Sequence, residues 1–184
     1  MKRLIDILGA LVALVILSPV FVAAALAVLI DSGRPVLFRQ ARVGRHGREF
    51  GMLKFRSMVV DAARIGPWHT GDNDPRITRV GRFLRRTSVD ELPQVFNVLL
   101  GDMSLVGPRP DVPAQRTLYR EADWQQRCSV RPGITGLAQA TLRSAATVQQ
   151  RLELDLRYTR EADVRLDLKI MFWTAARLFK ARGN

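Results

Sequence analysis

The chain has 184 residues and a formal net charge of +12, which allows one domain plus a short appendage and calls for an anionic partner: nucleic acid, a phospholipid surface or a phosphorylated substrate. Its single cysteine, Cys128, excludes an intrachain disulfide framework and a cysteine-based zinc site. The two histidines, His46 and His69, stand in glycine-rich surroundings without an evident partner, so phosphate, carboxylate and magnesium chemistry stay open while His–His metal chemistry is disfavoured.

From Ile7 to Ile30 no residue is charged. As a helix this run would measure about 36 Å, enough to cross a hydrocarbon core of about 30 Å. A cleaved signal peptide, a kinked spanning helix and a re-entrant helix compete for it. Lys2-Arg3 and the small residues Ala23-Ala24-Ala25 suit the first, although the run is long for a signal peptide. Ser18-Pro19 falls near the middle, where proline removes a backbone donor and frees a carbonyl that the Ser18 hydroxyl is able to serve. Lys2 and Arg3 flank one end; Arg34, Arg39, Arg42, Arg45 and Arg48 flank the other. Positive charge at both ends favours keeping both on the cytoplasmic side, which a helix that dips in, breaks at Ser18-Pro19 and returns would satisfy.

Asp31-Ser32-Gly33-Arg34-Pro35 ends the apolar run as a turn. Val36–Phe38 and Glu49–Phe55 read as strands of a β-hairpin around the Gly44–Gly47 turn. Strand alternation puts Lys54 and Arg56 on one face, where they either hold a phosphate or are simply solvated. Ile65 to Ile77 is loop; Asp72 and Asp74 imitate a metal loop, but an Asn/Asp/Gly/Pro cluster reads better as a turn. From Val80 onward a helical reading places Arg82, Arg85 and Arg86 on a shared face.

Asp90-Glu91 is an acidic pair in a basic chain, with Arg85-Arg86 before it and Pro93 after it. Ser88-x-x-Glu91 also fits a helix capping box, in which each first-turn acid is worth about 0.3–1 kcal/mol. Val95, Phe96, Val98 and Leu99 supply the apolar face of the following helix, and Gly101 suits its end. Carboxylates at a helix start should have depressed pKa values and stay ionised, as a nucleophile or metal ligand requires. Two rigid turns follow, Gly107-Pro108-Arg109-Pro110 and Arg131-Pro132-Gly133, each able to hold an arginine fork toward phosphate. Gln149–Tyr158 reads as a helix, Ala162-Asp163-Val164 as a break, and Leu166–Phe179 as a second helix. Its Trp173 and Phe residues beside Lys169, Arg177 and Lys180 suit the headgroup layer, or a core helix with a basic outer face.

Lys54-Phe55-Arg56-Ser57-Met58, Thr87 through Gln94, Gly101 through Pro110 and Arg131 through Gln139 together resemble the bacterial sugar transferase family. These are small monotopic polyprenyl-phosphate phosphoglycosyl transferases, and the likeness covers essentially the whole chain, in what looks like the minimal catalytic form. Val89, where the family usually has Leu, is a conservative departure. The resemblance implies transfer of sugar-1-phosphate from a UDP-sugar to polyprenyl (undecaprenyl) phosphate with release of UMP. It implies a ping-pong route through a phosphosugar on Asp90, with Glu91 holding Mg2+ and with phosphate contacts from Lys54, Arg85, Arg109 and, more weakly, Arg131. An N-acetylated hexosamine is the sugar it favours, with hexose donors next.

The expected fold is therefore α+β, mainly helical with a small β-hairpin. Residues 1–32 form a re-entrant helix-break-helix in the bacterial inner membrane, broken at Ser18-Pro19, and residues 33–184 a cytoplasmic catalytic domain with amphipathic interfacial helices. Inner-membrane lipid is an expected partner and nucleic acid is not; the oligomeric state stays open, a homodimer included. The competing class is a membrane-tethered basic module for nucleic acid or acidic lipid, which would have no need of an acidic pair.

Overall fold

The computed structural model describes residues 1–66, 74–142 and 147–180. Helix α1, Lys2–Ser32, is long and apolar enough to cross a membrane. It is uninterrupted: the expected break at Ser18-Pro19 is not a gap in the helix. Pro19 leaves the Val15 carbonyl without its usual donor, and the Ser18 hydroxyl donates to that carbonyl at 2.9 Å.

Both ends of α1 are tied to the rest of the chain. Near the start, Lys2 reaches Asp167 at 2.5 Å, Arg3 donates to the Val98 and Leu99 carbonyls, and Asp6 accepts from Ser104 Oγ and the Leu105 amide. At the far end, one Arg56 nitrogen donates to the Ser32 and Gly33 carbonyls and to Ser32 Oγ at 2.6–2.9 Å. A cation there satisfies carbonyls that a helix end leaves open. Arg56 is therefore buried at the end of α1, while Lys54 reaches Glu91, so the two cations expected on one face serve different partners. Between these anchors Val12, Val15, Ile16 and Val22 lie exposed, Val15 to 75%.

Strands β1, Leu37–Val43, and β2, Glu49–Phe55, pair antiparallel from Leu37↔Phe55 to Val43↔Glu49. The first strand runs longer than its polar sequence predicts, since pairing with β2 carries Arg39 to Arg42 along. Left-handed His46 and Gly47 turn the hairpin. Short α2, Ala62–Ile65, and α3, Arg79–Arg86, follow, the latter capped by the Thr78 hydroxyl on the Gly81 amide. A 3-10 turn, Val89–Glu91, leads to α4, Gln94–Leu100, which ends on left-handed Gly101 as expected.

The chain continues through β3, Ser104–Val106, a 3-10 segment at Pro113–Leu118, α5, Glu121–Arg127, and β4, Gly133–Thr135. It closes with α6, Leu137–Thr141, α7, Val148–Glu161, and α8, Val164–Lys180, with the predicted break at Ala162. β3 and β4 pair in parallel beside the Gly-Pro-Arg-Pro turn. A Cβ on Gly107 would stand 2.3 Å from the Arg131 carbonyl oxygen, so only glycine permits this approach.

Helix α1 feeds two parts of the core. Ala10 packs with Met52, Val95, Val98 and Met103; Ala24 and Val28 pack with Phe55 and Leu84, joined by Val89 and Leu92 on either side of the acidic pair. A third cluster, Val106, Leu137, Ala140, Tyr158 and Ile170, holds α6, α7 and α8 together.

Candidate active site

Asn97 sets the site's geometry. Its side chain accepts from the Leu53 amide and donates to the Gly51 carbonyl, both at 2.9 Å, pairing α4 with the free edge of β2. Lys54 is thereby carried to Glu91, Nζ to Oε1 at 2.8 Å. Arg109 comes from the other side, at 2.6 Å to Oε1 and 3.2 Å to Oε2, as a fork over the same carboxylate. Burial works against ionisation of Glu91, but the Arg109 charge and hydrogen bond, followed by Lys54, hold its carboxyl well below the usual carboxylate range.

Asp90 differs from its neighbour. It is buried, 7% exposed, and no hydrogen bond or ion pair among the described residues engages its carboxylate. Burial, the largest influence, raises it above its ordinary value against the pull of Lys54; Glu91 adds to the rise, and Arg85 and Arg109 oppose it. The expectation of two depressed carboxylates thus holds for Glu91 and fails for Asp90, where desolvation dominates. The pair lies in the 3-10 turn before α4 and not in the helix's first turn. Nor is Ser88 a capping residue: it is left-handed, φ 57°, and its side chain makes no cap hydrogen bond, while Glu91 is committed to its cations. A capping box does form at the start of α7, from Thr147 with Gln150.

The Arg109 turn is held through its carbonyls. Pro108 O accepts from the Gly133 amide, Arg109 O from Arg127 and Pro110 O from Arg42. Arg127, 7% exposed, also lies 2.6 Å from Asp111 and 2.9 Å from Asp155. The structure therefore gathers Lys54, Asp90, Glu91 and Arg109, with Arg85 near enough to act on Asp90. It does not bring Arg131 to the pair: Arg131 Nε donates to the Gly101 carbonyl at 2.8 Å and braces the end of α4. Asp74 is taken by Arg76, which accounts for it as a turn residue; His69 and Asp72 lie outside the described residues.

Asn97, Arg42 and Arg127 were not singled out as site residues from the sequence. Only Asn97 carried a signal, as the one polar residue inside the run Val95–Leu100. Beyond Arg109 opens a cavity of about 500 Å3 lined by Arg42, Asp111, Tyr119, Arg127, Gln139 and Asp155 among others.

No group of three or more His, Cys, Asp or Glu side chains able to hold a metal occurs among the described residues. Magnesium needs fewer: it commonly takes one or two carboxylates, keeps waters and draws its other ligands from substrate phosphates. Glu91 is ionised, and its Oε2, which accepts only the 3.2 Å contact from Arg109, keeps a lone pair for an ion bound in that mode.

A family model described as bacterial sugar transferase matches residues 1–181. The chain belongs to the bacterial sugar transferase family. It is 45% identical, over 97% of its own length, to the UDP-glucose:undecaprenyl-phosphate glucose-1-phosphate transferase of Escherichia coli (strain K12), and spans 40% of that relative. A UDP-N-acetylgalactosamine-undecaprenyl-phosphate N-acetylgalactosaminephosphotransferase of Aeromonas hydrophila is 40% identical over 99% of the chain, which covers 44% of it. The exopolysaccharide production protein PSS of Rhizobium leguminosarum bv. phaseoli is 43% identical and matched almost end to end, 100% of this chain and 98% of the relative. The chain thus spans less than half the length of several curated sugar-phosphate transferases it matches.

Proposed function

We propose that this protein transfers sugar-1-phosphate from a UDP-sugar to polyprenyl phosphate, leaving polyprenyl-diphosphate-sugar and UMP. The observation that carries the reading is the division of labour in the acidic pair: Glu91 is gripped by Lys54 and Arg109, while the buried Asp90 carboxylate has no hydrogen-bond partner among the described residues. A carboxylate without hydrogen bonds keeps its lone pairs for attack.

In the first displacement an Asp90 oxygen attacks the sugar-bearing phosphorus. The bond from that phosphorus to the bridging oxygen breaks, and UMP departs with the electron pair. In the second, an oxygen of polyprenyl phosphate attacks the same phosphorus and the Asp90 carboxylate leaves, restored. Lys54, Arg85 and Arg109 place positive charge where it offsets the anionic transition state. Glu91 would hold magnesium together with the diphosphate, and the ion would neutralise charge on the transferring and leaving oxygens.

Membrane placement follows the same reasoning. Residues 1–32 form the membrane element and residues 33–184 a catalytic domain at the cytoplasmic face of the bacterial inner membrane. Anchoring of both ends of α1 on one body supports a re-entrant path, because a spanning helix would separate its ends by the bilayer. Exposed Leu168, Phe172 and Trp173 on α8 support contact with the lipid surface.

The test is incubation of the purified protein with magnesium, undecaprenyl phosphate and a panel of UDP-sugars, following UMP. Folded protein that releases none from any donor would remove the reading. Without acceptor, a sugar-phosphate adduct should form on the wild type and not on Asp90→Asn; normal adduct yield in that variant would exclude Asp90 as nucleophile.

A further inference from the structure

The cavity beyond Arg109 has two features that extend past the acidic pair. The first is a pair of like charges. Arg42 and Arg109 both line the cavity, and Arg42 is fastened to the turn by its hydrogen bond to the Pro110 carbonyl at 2.8 Å. Two guanidinium groups held together in a partly buried place repel one another; Asp111 and Glu91 offset part of that repulsion, and a phosphate between the two groups would offset more. Burial and then the Arg109 charge bring the Arg42 pKa down to about 10. Gln40 takes two Arg42 donors and Pro110 a third, which leaves N–H groups of the fork free for a ligand.

The second feature is Gln139, which lines the same cavity. Its amide oxygen and nitrogen are both buried, and neither has a hydrogen-bond partner among the described residues. A carboxamide in that condition is costly to the ligand-free protein, and its terminal torsion turns easily. It offers one donor and one acceptor side by side. The imide edge of a uracil ring, with N3–H beside a carbonyl oxygen, is the complement of that pattern.

We propose that this cavity is the seat of the departing nucleotide, with Arg42 joining Arg109 on its phosphate and the Gln139 amide pairing with the imide edge of its base. The assignment rests on the transfer reaction proposed above, since displacement at phosphorus by Asp90 sends the leaving group away from Asp90. Asp90 and Glu91 do not line the cavity, whereas Arg109 belongs to both places. A nucleotide there lies across Arg109 from the nucleophile, and the sugar stays with the phosphorus that Asp90 attacks.

The experiment is a ligand-observed NMR titration of the detergent-solubilised full chain with UMP, ribose 5-phosphate, uridine and N3-methyl-UMP. Arg42→Gln should weaken UMP and ribose 5-phosphate about tenfold and leave uridine unchanged; Gln139→Ala should weaken UMP and uridine about tenfold and leave ribose 5-phosphate unchanged. The unaltered protein should prefer UMP to N3-methyl-UMP, and Gln139→Ala should lose that preference. Equal affinity of the unaltered protein for those two ligands would overturn the base contact whatever the variants do. Loss of all ligands alike in a variant would reduce that residue to a structural role and overturn its assignment. So would a Gln139→Ala effect on UDP-N-acetylglucosamine that is absent for UMP, because it would move the amide to the sugar. UMP release from a UDP-sugar without discrimination against N3-methyl-UMP sinks this assignment and spares the reaction. Discrimination without UMP release does the reverse.

Discussion

Arg127 donates to the main-chain carbonyl of Arg109 at 2.5 Å, so the arginine that grips Glu91 is positioned by another arginine that never touches the acidic pair. The same guanidinium holds Asp111 and Asp155, which joins the Gly-Pro-Arg-Pro turn to α5 and α7. Arg127→Met should strand two buried carboxylates and lower stability by about 3–5 kcal/mol. Thermal unfolding in detergent measures it. A loss under 1 kcal/mol would mean that Arg127 is not the brace described.

Asp155 gives a pH signature. Burial raises its carboxyl to about 6, against the opposing charge of Arg127. An acid whose folded pKa lies above its unfolded value of about 3.9 binds its proton more tightly when folded, so its contribution to stability is fullest at low pH. That contribution falls as pH rises from about 4 to about 6, by at most about 3 kcal/mol, and is flat above. Across this window the stability of wild type relative to Asp155→Asn should fall as pH rises, because only the acid loses its proton. A difference independent of pH would place the Asp155 pKa near its ordinary value.

Lys54 acts on both acids, as the ion-pair partner of Glu91 and as the strongest charge opposing the rise in the Asp90 pKa. Lys54→Met should slow formation of the sugar-phosphate adduct by about 100-fold, the scale for losing one preorganised electrostatic contact. Single-turnover measurement without acceptor isolates that step. An unchanged rate would assign Lys54 to holding Glu91 and nothing more.

Arg56 tests the coupling of helix to domain. One of its nitrogens serves three oxygens at the end of α1, while Nε and NH1 are buried without partners. Arg56→Met should free the helix end but also remove two unsatisfied donors, for a net loss of about 1–3 kcal/mol. Proteolysis near Gly33 should rise in the variant; unchanged cleavage would mean that hydrophobic packing alone holds the helix end.

Topology makes the last prediction. Reporters fused ahead of Met1 and after residue 184 should both register the cytoplasm. Opposite sides would replace the re-entrant helix with a spanning one.

Much of this was readable in advance, for identifiable reasons. Alternation and a glycine turn gave the hairpin, Gly101 gave the end of α4, and Ala162-Asp163 gave the break between α7 and α8. The motifs that carried the family likeness singled out Lys54, Arg85 and Arg109 as phosphate contacts; that Lys54 and Arg109 close on Glu91 was not among the expectations. What stayed hidden depends on partners distant in sequence. Three-residue strands such as β3 and β4 have no period to detect, and their pairing rests on close glycine contacts. Arg131 entered as a weaker phosphate candidate through the family likeness, and Arg56 as either a phosphate contact or a solvated side chain; their hold on the ends of α4 and α1 is invisible until those ends are nearby. The Asp90 pKa was misjudged in sign because burial is a property of the fold, which local helix position does not reveal.

Val89 and Leu92, on either side of the acidic pair, pack in the cluster formed around Ala24 and Val28 of α1. On the membrane reading proposed above the helix would act as a depth gauge: its fastened ends and apolar outer side would set how far Asp90 stands from the lipid plane. Replacing α1 by an unrelated hydrophobic anchor of equal length would remove Ala24 and Val28 from beneath Val89 and Leu92, and with them the packing that supports Asp90.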